Sequence, residues 1–248
     1  MKITREDARQ MRDRISVGRK TTTIRRNLGI VSAVINFAIR EKELSSTNPF
    51  EALQIAGEGE DSEIRIPFSH DELLMVSKAA REKNEQFAWI SSILIETGAR
   101  IGEIACAKVE DVFLDEPIPY IHLREHLDEG RRLKTGSGSE RVLWGVRQAL
   151  SQAGTNPRLF PKYGPEQNAT YAVQEVNRWL RSLGIADKSS HCFRHSMIDR
   201  LLNADVSDTL AKRLTGHSPQ TIHDKYGSGP SLERYSAALD KITLPFES

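Results

Sequence analysis

HCFRHSMIDRLLNADVSDTLAKRLTGHSPQTIHDKY, residues 191–226, joins a start rich in histidine and arginine to a terminal tyrosine. His191, Arg194 and His195 stand at positions i, i+3 and i+4, which fall on one face when the backbone is helical. The pattern of MIDRLL predicts that helix, and SDTLAKRLTG at 207–216 predicts a second short helix that ends at its glycine. The stretch therefore predicts two helices that carry basic and imidazole side chains.

A metal site is one hypothesis for these histidines. His191, His195 and His217 could supply three nitrogens to zinc, since a histidine pair at i and i+4 is a known zinc-binding arrangement. The metalloprotease form of that pair needs a glutamate after the first histidine, where Cys192 stands. Arg194 on the same face would repel a divalent cation. The pattern thus disfavours a metal site, and we predict neither a metal nor a cofactor.

Chemistry at a phosphate is a second hypothesis, and it gives a role to more of these residues than a metal site does. Arg194, together with Arg100 upstream, can hold the nonbridging oxygens of a phosphate in the paired geometry that guanidinium groups favour. Such cations stabilise the charge that a phosphodiester gains in its transition state. A tyrosine hydroxyl such as that of Tyr226, with a pKa of about 10 in water, needs a proton acceptor before it attacks. A histidine can accept that proton, and a lysine such as Lys134 can return one to the leaving oxygen.

Charge is distributed unevenly along the chain. The net charge is +1, but residues 1–56 carry +5 and the remainder −4. Such asymmetry is a hint of a nucleic-acid surface, although a solvated helix face explains it equally well. The basic residues that lie off the predicted apolar stripe of this segment are candidates for contact with a phosphate backbone: Arg25, Arg26, Arg40 and Lys42.

Residues 1–56 read as a helical domain. Thr4 is a predicted N-cap followed by acidic residues, and Thr23 is a predicted N-cap for a longer helix. That helix is predicted to end at Asn48, because a residue before proline avoids helical dihedral angles. Residues 57–66 hold two glycines and an acidic run without periodicity, which predicts a linker.

The second domain is predicted to span residues 67–248, and its first helix begins with a capping box formed by Ser69 and Glu72. Helical periodicity breaks at Gly98, where one helix ends and another begins. Arg100 at that new start is unfavourable against the helix dipole, so we expect either a salt bridge, for instance to Glu103, or a nearby anion.

A β pattern follows these helices. Strands are predicted near 110–114, 119–124, 131–135 and 140–143, and further helices at 145–153 and 168–183. The fold class is therefore predicted to be mainly α with a small antiparallel β-sheet (α+β).

The chain lacks an apolar run long enough to cross a membrane and an N-terminal stretch typical of a secretory signal. Its two cysteines, Cys106 and Cys192, give neither a disulfide framework nor a zinc spacing. We therefore expect a cytoplasmic protein without a membrane partner.

Four motifs, taken in order, resemble the tyrosine recombinases of the phage-integrase type. TGARIGEI at 97–104 resembles the first arginine box of that family, and LKTGSGSERV at 133–142 resembles its lysine hairpin. HCFRH at 191–195 is similar to its His-x-x-Arg-His box. TGH at 215–217, followed by Tyr226, has the spacing of its Gly-His to tyrosine segment. Each motif alone is weak evidence for the family, but the ordered set is specific to it.

The resemblance implies a role for each matched residue. The catalytic set would be Arg100, Lys134 as general acid, His191, Arg194, His217 and Tyr226 as nucleophile. Glu103 would brace the surroundings of the first arginine. Thr215 stands where the family usually has leucine and Ile222 where it has threonine, and we expect neither to touch a catalytic position.

The resemblance also implies an architecture and an activity. Residues 67–248 would form the tyrosine-recombinase catalytic fold, and residues 1–56 part of a helical core-binding domain that clamps double-stranded DNA. Such enzymes cleave and rejoin DNA strands through a 3′-phosphotyrosine, work as homo-tetramers on two DNA sites through a Holliday junction, and can use accessory DNA-bending proteins. The family's first domain usually has four or five helices, whereas this segment predicts about two. Either the chain would then begin inside that domain, or this member would hold DNA with a reduced clamp.

Other interpretations remain open from the sequence. A type IB topoisomerase shares the chemistry but relaxes a single duplex. A DNA-binding regulator without catalytic activity is a hypothesis of a different class, and the complete residue set argues against it. Tyr235 is a second tyrosine, but its helical pattern with apolar neighbours favours a place in the core or an interface. The sequence does not decide whether Tyr226 or the C-terminal segment acts within its own subunit or in a neighbour.

Overall fold

A computed structural model of the chain describes residues 3–62, 66–129, 133, 139–142, 154–164, 169–217 and 230–242. The chain forms two compact units, residues 1–64 and 65–248, which are described separately. The predicted fold class is confirmed, since helices dominate both units and a small antiparallel sheet lies in the second.

The first unit contains helices α1 (Arg5–Ser16) and α2 (Thr21–Glu41). Thr4 caps α1 as predicted, because its side chain accepts from the Asp7 N–H while the Asp7 carboxylate accepts from the Thr4 N–H. A small apolar core holds the helices together with the segment that follows α2. It consists of Ala8, Ile24, Leu28, Phe50, Leu53 and Ile55.

Both predicted ends of α2 are wrong. The helix begins at Thr21 because the carboxylate of Asp61, forty residues away, accepts from the Thr21 N–H at 2.6 Å and from its hydroxyl. The helix ends at Glu41 because Glu43 adopts a left-handed backbone with φ of 47°. Asn48 instead donates from its amide to Ser32 and Asn36, which attaches the following segment to the side of α2.

Residues 57–62, within the predicted linker, form turns that bond to α2. The Gly59 N–H donates to the Thr21 hydroxyl at 3.1 Å, and Arg25 forms a two-pronged ion pair with Glu58. This part of the segment is therefore anchored to the first unit rather than extended between units.

The second unit opens with α3 (His70–Lys83), α4 (Gln86–Thr97) and the short α5 (Ile101–Ala105). The predicted capping box of Ser69 and Glu72 is confirmed. Nearly every residue of α4 is buried, because other helices pack around it. Gly98, the C-cap of this central helix, therefore lies in the middle of the unit.

Three strands form the antiparallel sheet in the order β1 (Val112–Phe113), β2 (Tyr120–Leu123) and β3 (Ser139–Val142). Their register pairs Val112 with Ile121 and Tyr120 with Val142. Three of the predicted strands are confirmed in position. The predicted strand at 131–135 and the predicted helix at 145–153 lie outside the described residues, apart from Leu133.

Four further helices complete the described part of this unit: α6 (Ala169–Ser182), α7 (Cys192–Asn203), α8 (Asp208–Thr215) and α9 (Leu232–Asp240). The segment before α3 packs against α7. The ring of Phe68 stacks on the ring of Phe193 with centroids 4.4 Å apart, and the backbone N–H of Phe68 donates to Ser196 Oγ at 2.7 Å. An apolar cluster lies among α7, α8 and α9, with Tyr235 packed against it.

None of the described helices has both the length and the apolar character needed to cross a membrane.

Candidate active site

The turn after α4 is the first element of the site. Gly98 has a φ of +60°, and a Cβ built on it would lie 2.8 Å from Met197 Cγ and 3.1 Å from Thr215 Cγ2. Only glycine combines this left-handed backbone with so close a packing of α7 and α8. The predicted break at Gly98 is confirmed, and the turn directs the Gly98 carbonyl towards α7.

Arg194, on α7, is the hydrogen-bond donor to that carbonyl. Its Nη1 donates to Gly98 O at 3.0 Å, and its Nη2 lies 3.1 Å from His217 Nδ1. The residue is only 4% exposed. Burial of a cation is costly unless its donors are satisfied, so these partners both stabilise the guanidinium and fix its direction.

Arg100 lies at the N-cap position of α5 and is fixed by Glu103. The Glu103 carboxylate accepts from the Arg100 N–H at 2.9 Å and from Nη1 at 2.7 Å, so the expected salt bridge is confirmed. The same Nη1 lies 3.5 Å from the carbonyl oxygen of Gly216. The Arg100 side chain is 25% exposed, so it is partly accessible to solvent.

His217 follows the glycine that ends α8, as predicted. Gly216 adopts a left-handed φ of 69° and turns the chain so that the imidazole meets Arg194. A guanidinium can only donate, so Nδ1 of a neutral His217 ring must be the acceptor in this contact. The proton of that neutral ring is then on Nε2, which makes Nε2 a hydrogen-bond donor.

His191 precedes the first residue of α7, one helical turn before Arg194. Its ring is exposed and meets the ring of His195 edge-on, with centroids 5.2 Å apart. The structure thus joins Arg100, Glu103, Arg194 and His217 through direct contacts, a set that we call the arginine cluster. His191 is the residue directly before the helix that carries Arg194. Lys134 and Tyr226 lie outside the described residues.

Thr215 is the residue that the sequence reasoning missed. Its hydroxyl lies 2.9 Å from His217 Nδ1, so the expectation that it touches no catalytic position is wrong. The signal available in the sequence was a polar side chain two residues before a candidate histidine, at a position where the family usually has leucine.

Ligand-type side chains do approach one another elsewhere in the described part of the chain, at Glu110, Asp111 and His126. Arg124 Nε donates to Asp111 Oδ1 at 2.6 Å, and His126 Nε2 lies 2.8 Å from Asp111 Oδ2. Burial tends to raise the pKa of Asp111, but hydrogen bonds from His126, Arg124 and the Lys108 N–H outweigh it and hold that pKa below its ordinary value. A guanidinium already neutralises this group, so we interpret it as a structural ion cluster.

In the first unit, the four basic candidates differ in their surroundings. Arg25 forms an ion pair with Glu58, which already neutralises its charge. The remaining three, Arg26 and Arg40 on α2 and Lys42 directly after its end, are exposed, and we call this set of residues the basic helix face.

The sequence of this chain is similar to those of known proteins. The sequence profile of the phage integrase family matches residues 67–228. Over 246 residues the chain is 27% identical to IntQ of Escherichia coli (strain K12), whose name describes it as defective. The match covers 85% of this chain and 61% of IntQ, so the chain spans less than two thirds of the length of that relative.

Solved structures share the fold. The Tn1549 transposon integrase, in complex with circular intermediate DNA, superposes with a TM-score of 0.61 at 19% identity, covering 95% of this chain and 84% of that one. XerH recombinase bound to palindromic difH substrate gives a TM-score of 0.67 at 16% identity, over 97% and 69% of the two chains. A lambda integrase tetramer on a Holliday junction gives 0.61 at 19% identity, over 89% and 66%. With the family profile matching about two thirds of its length, the chain belongs to the phage integrase family.

Proposed function

We propose that this chain is a site-specific DNA recombinase that cleaves and rejoins DNA strands through a 3′-phosphotyrosine at Tyr226. The observation that carries the proposal is the arginine cluster. Arg194 and Arg100 come from different helices and meet the same two-residue segment, Gly216 and His217. A phosphodiester placed against that segment would be within reach of two guanidinium groups and one imidazole.

The arginine cluster can stabilise the negative charge that develops during the proposed reaction. In the proposed step the Tyr226 oxygen forms a bond to phosphorus, the bond from phosphorus to the 5′-oxygen breaks, and the nonbridging oxygens carry increased negative charge in between. Donors that are already fixed by Gly98 O and Glu103 stabilise this charge without reorganising. Removal of one such donor typically costs about 10²–10³-fold in rate.

Protons must also balance. The phenol loses one proton to an acceptor, and the leaving 5′-oxygen gains one, for which Lys134 is the proposed general acid. The Nδ1 of His217 faces Arg194, so His217 acts as a donor to the phosphate through Nε2 rather than as the acceptor. His191, with its exposed ring at the start of α7, is the imidazole left to accept the phenol proton. Rejoining reverses these transfers, and the steps balance without a metal or redox group.

The first unit supplies the grip on DNA in this proposal. The basic helix face presents three exposed cations that can neutralise backbone phosphates, which gives affinity and carries no sequence information by itself. Double-stranded DNA is the partner, and a homo-tetramer on two DNA sites, aided by DNA-bending proteins, is the working assembly. These statements extend the family membership and rest on the proposed reaction.

The test is to trap the covalent adduct. Duplexes with a nick a few nucleotides downstream of a randomised segment lose a short 5′-hydroxyl strand after cleavage, so the adduct persists. We expect an SDS-resistant band carrying the 5′-labelled strand, and sequencing of that strand identifies the target site. Tyr226→Phe should abolish the band and keep DNA affinity, and Tyr235→Phe is the matched control that should keep the band.

Three outcomes would contradict parts of the proposal. An adduct that survives in Tyr226→Phe would assign the nucleophile to another residue. DNA binding without any adduct in the unaltered chain would indicate a DNA-binding regulator instead. Loss of the adduct in a chelator would restore the zinc hypothesis.

A further inference from the structure

The Thr215 hydroxyl is enclosed at the end of α8. The residue has no solvent exposure, and its Oγ1 lies 2.8 Å from Ala211 O, 3.3 Å from Lys212 O and 2.9 Å from His217 Nδ1. The side chain therefore stands between the backbone of its own helix and the imidazole of the arginine cluster.

One hydroxyl proton has to serve these contacts. Ala211 O and Lys212 O can only accept, so a hydroxyl that donates to the helix backbone offers a lone pair to His217 Nδ1. That lone pair is a good partner for an Nδ1–H and a poor one for an unprotonated Nδ1. Thr215 thus favours a proton on Nδ1, whereas Arg194, which only donates, favours its absence.

We propose that Thr215 is a positioning residue that holds a proton on Nδ1 of His217, so that the ring can become a cationic donor when phosphate occupies the arginine cluster. The idea rests on the function proposed above. With the Nε2 proton also present, an Nδ1 proton makes the ring an imidazolium, which binds a phosphate oxygen more strongly than the neutral ring. The phosphate charge offsets the repulsion between this imidazolium and Arg194.

Other charged groups near His217 act on the same equilibrium. Arg194 on α7 and Arg100 at the start of α5 disfavour the imidazolium, while Glu103 beside Arg100 partly offsets the latter. Lys212 on α8 is paired with Asp208, and Arg213 lies on the same helix. Because all of these remain in a Thr215 variant, the effect of the hydroxyl can be measured by itself.

The chain offers a matched pair of variants. Thr215→Val keeps the β-branched shape, including the methyl group that packs beneath Gly98, and replaces the hydroxyl by a second methyl group. Thr215→Ser removes that methyl group and keeps the hydroxyl. A structural role of the methyl group would therefore affect the serine variant, and a role of the hydroxyl would affect the valine variant.

The experiment is an NMR titration of histidine-labelled protein without DNA, with His217 assigned by the signal missing in His217→Gln. We expect Thr215→Val to lower the midpoint of the His217 titration by about one pH unit, a tenfold change in proton affinity, because a hydrogen bond to a charged group is lost. Thr215→Ser should stay close to the unaltered protein. An unchanged midpoint in a folded Thr215→Val protein would overturn the proposal, and so would an equal change in both variants.

The pH profile of adduct formation separates this idea from the proposed function. If His217 acts as a cation, the fall in rate at alkaline pH should begin at lower pH in Thr215→Val and stay in place in Thr215→Ser. A shifted NMR midpoint together with no adduct at any pH would support the role of Thr215 and reject the recombinase function. An adduct whose pH profile is the same in both variants would reject the role of Thr215 in the reaction.

Discussion

The arginine cluster and the basic helix face hold their cations in opposite ways. Arg194 is 4% exposed and bonded to a backbone carbonyl and an imidazole, whereas Arg26 and Arg40 on α2 and Lys42 directly after it are exposed to solvent. A fixed, buried cation can stabilise developing charge without reorganising, while an exposed one contributes affinity that salt screens. If the proposed function is correct, the second unit performs the chemistry and the first binds the DNA backbone, and substitutions in the two sets should have unequal effects.

The largest effect on stability is expected at a buried charge of the second unit. Asp111 is 2% exposed and is bonded to His126, Arg124 and the Lys108 N–H. Asp111→Asn should lower the free energy of unfolding by about 4 kcal/mol, because it leaves buried donors without their carboxylate. Urea unfolding at pH 7 measures this change, and Glu58→Gln, which breaks the exposed pair with Arg25, should have little effect.

The pH dependence of the Asp111 contribution has a defined sign. The pKa of this carboxyl is lowered in the folded protein, so its contribution to stability is present above about pH 4 and is lost as the pH falls through the folded-state pKa. The difference in stability between the unaltered protein and Asp111→Asn should therefore shrink as the pH falls below about 4. A difference that stays constant over that range would contradict the assignment.

A somewhat smaller effect is expected at the glycine turn. Gly98→Ala should cost about 3 kcal/mol, since the new Cβ combines left-handed backbone strain with overlap of Met197 and Thr215. Gly184→Ala is the matched control, because Gly184 also has a positive φ, of 86°, but has open space around its Cβ position. The control should lose only about 1 kcal/mol. Equal losses would mean that the close packing around Gly98 carries no energy.

Glu103→Gln tests whether Arg100 needs its partner to act. The variant keeps a side chain that can accept from the Arg100 N–H but loses the ion pair, so the guanidinium becomes less well oriented. We expect the rate of adduct formation to fall about 10–100-fold with little change in DNA affinity. Single-turnover kinetics measure the rate, and a loss confined to DNA affinity would contradict the role given to Glu103.

The smallest effects belong to the basic helix face. Replacing Arg26, Arg40 and Lys42 together by glutamine should weaken DNA binding and reduce the slope of log affinity against log salt by about 2 to 3, while the cleavage rate of bound DNA stays similar. Arg25→Gln is the control, because Glu58 already neutralises Arg25. Binding titrations at several salt concentrations check both. An equal change in slope for Arg25→Gln would remove the distinction between paired and exposed arginines.

Local features of this fold were predictable from the sequence because they depend on neighbouring residues. The capping box at Ser69, the glycine turn at Gly98 and the ion pair of Arg100 with Glu103 each span a few positions. Of the residues that the motifs single out, Arg100, Arg194 and His217 lie at one segment of the chain, whereas the ring of His191 contacts that of His195.

The remaining features depend on residues that the fold brings together from distant positions. Asp61 moves the start of α2 by capping Thr21 from forty residues away, and Glu58 neutralises Arg25 across a similar separation. The contact of Thr215 with His217 spans two residues, yet it depends on the left-handed turn at Gly216, whose geometry places Oγ1 against Nδ1. Motif matching treated position 215 as a spacer, so this contact was missed.

The most direct test of the account compares two duplexes with the same target sequence, one with a normal scissile phosphate and one with a methylphosphonate that lacks the nonbridging charge. If Arg194 stabilises that charge, Arg194→Ala should slow cleavage of the phosphodiester by about 10³-fold but leave methylphosphonate cleavage within about tenfold of the unaltered protein. Arg194→Ala protein that remains folded but cleaves both duplexes with the same large loss would contradict the account.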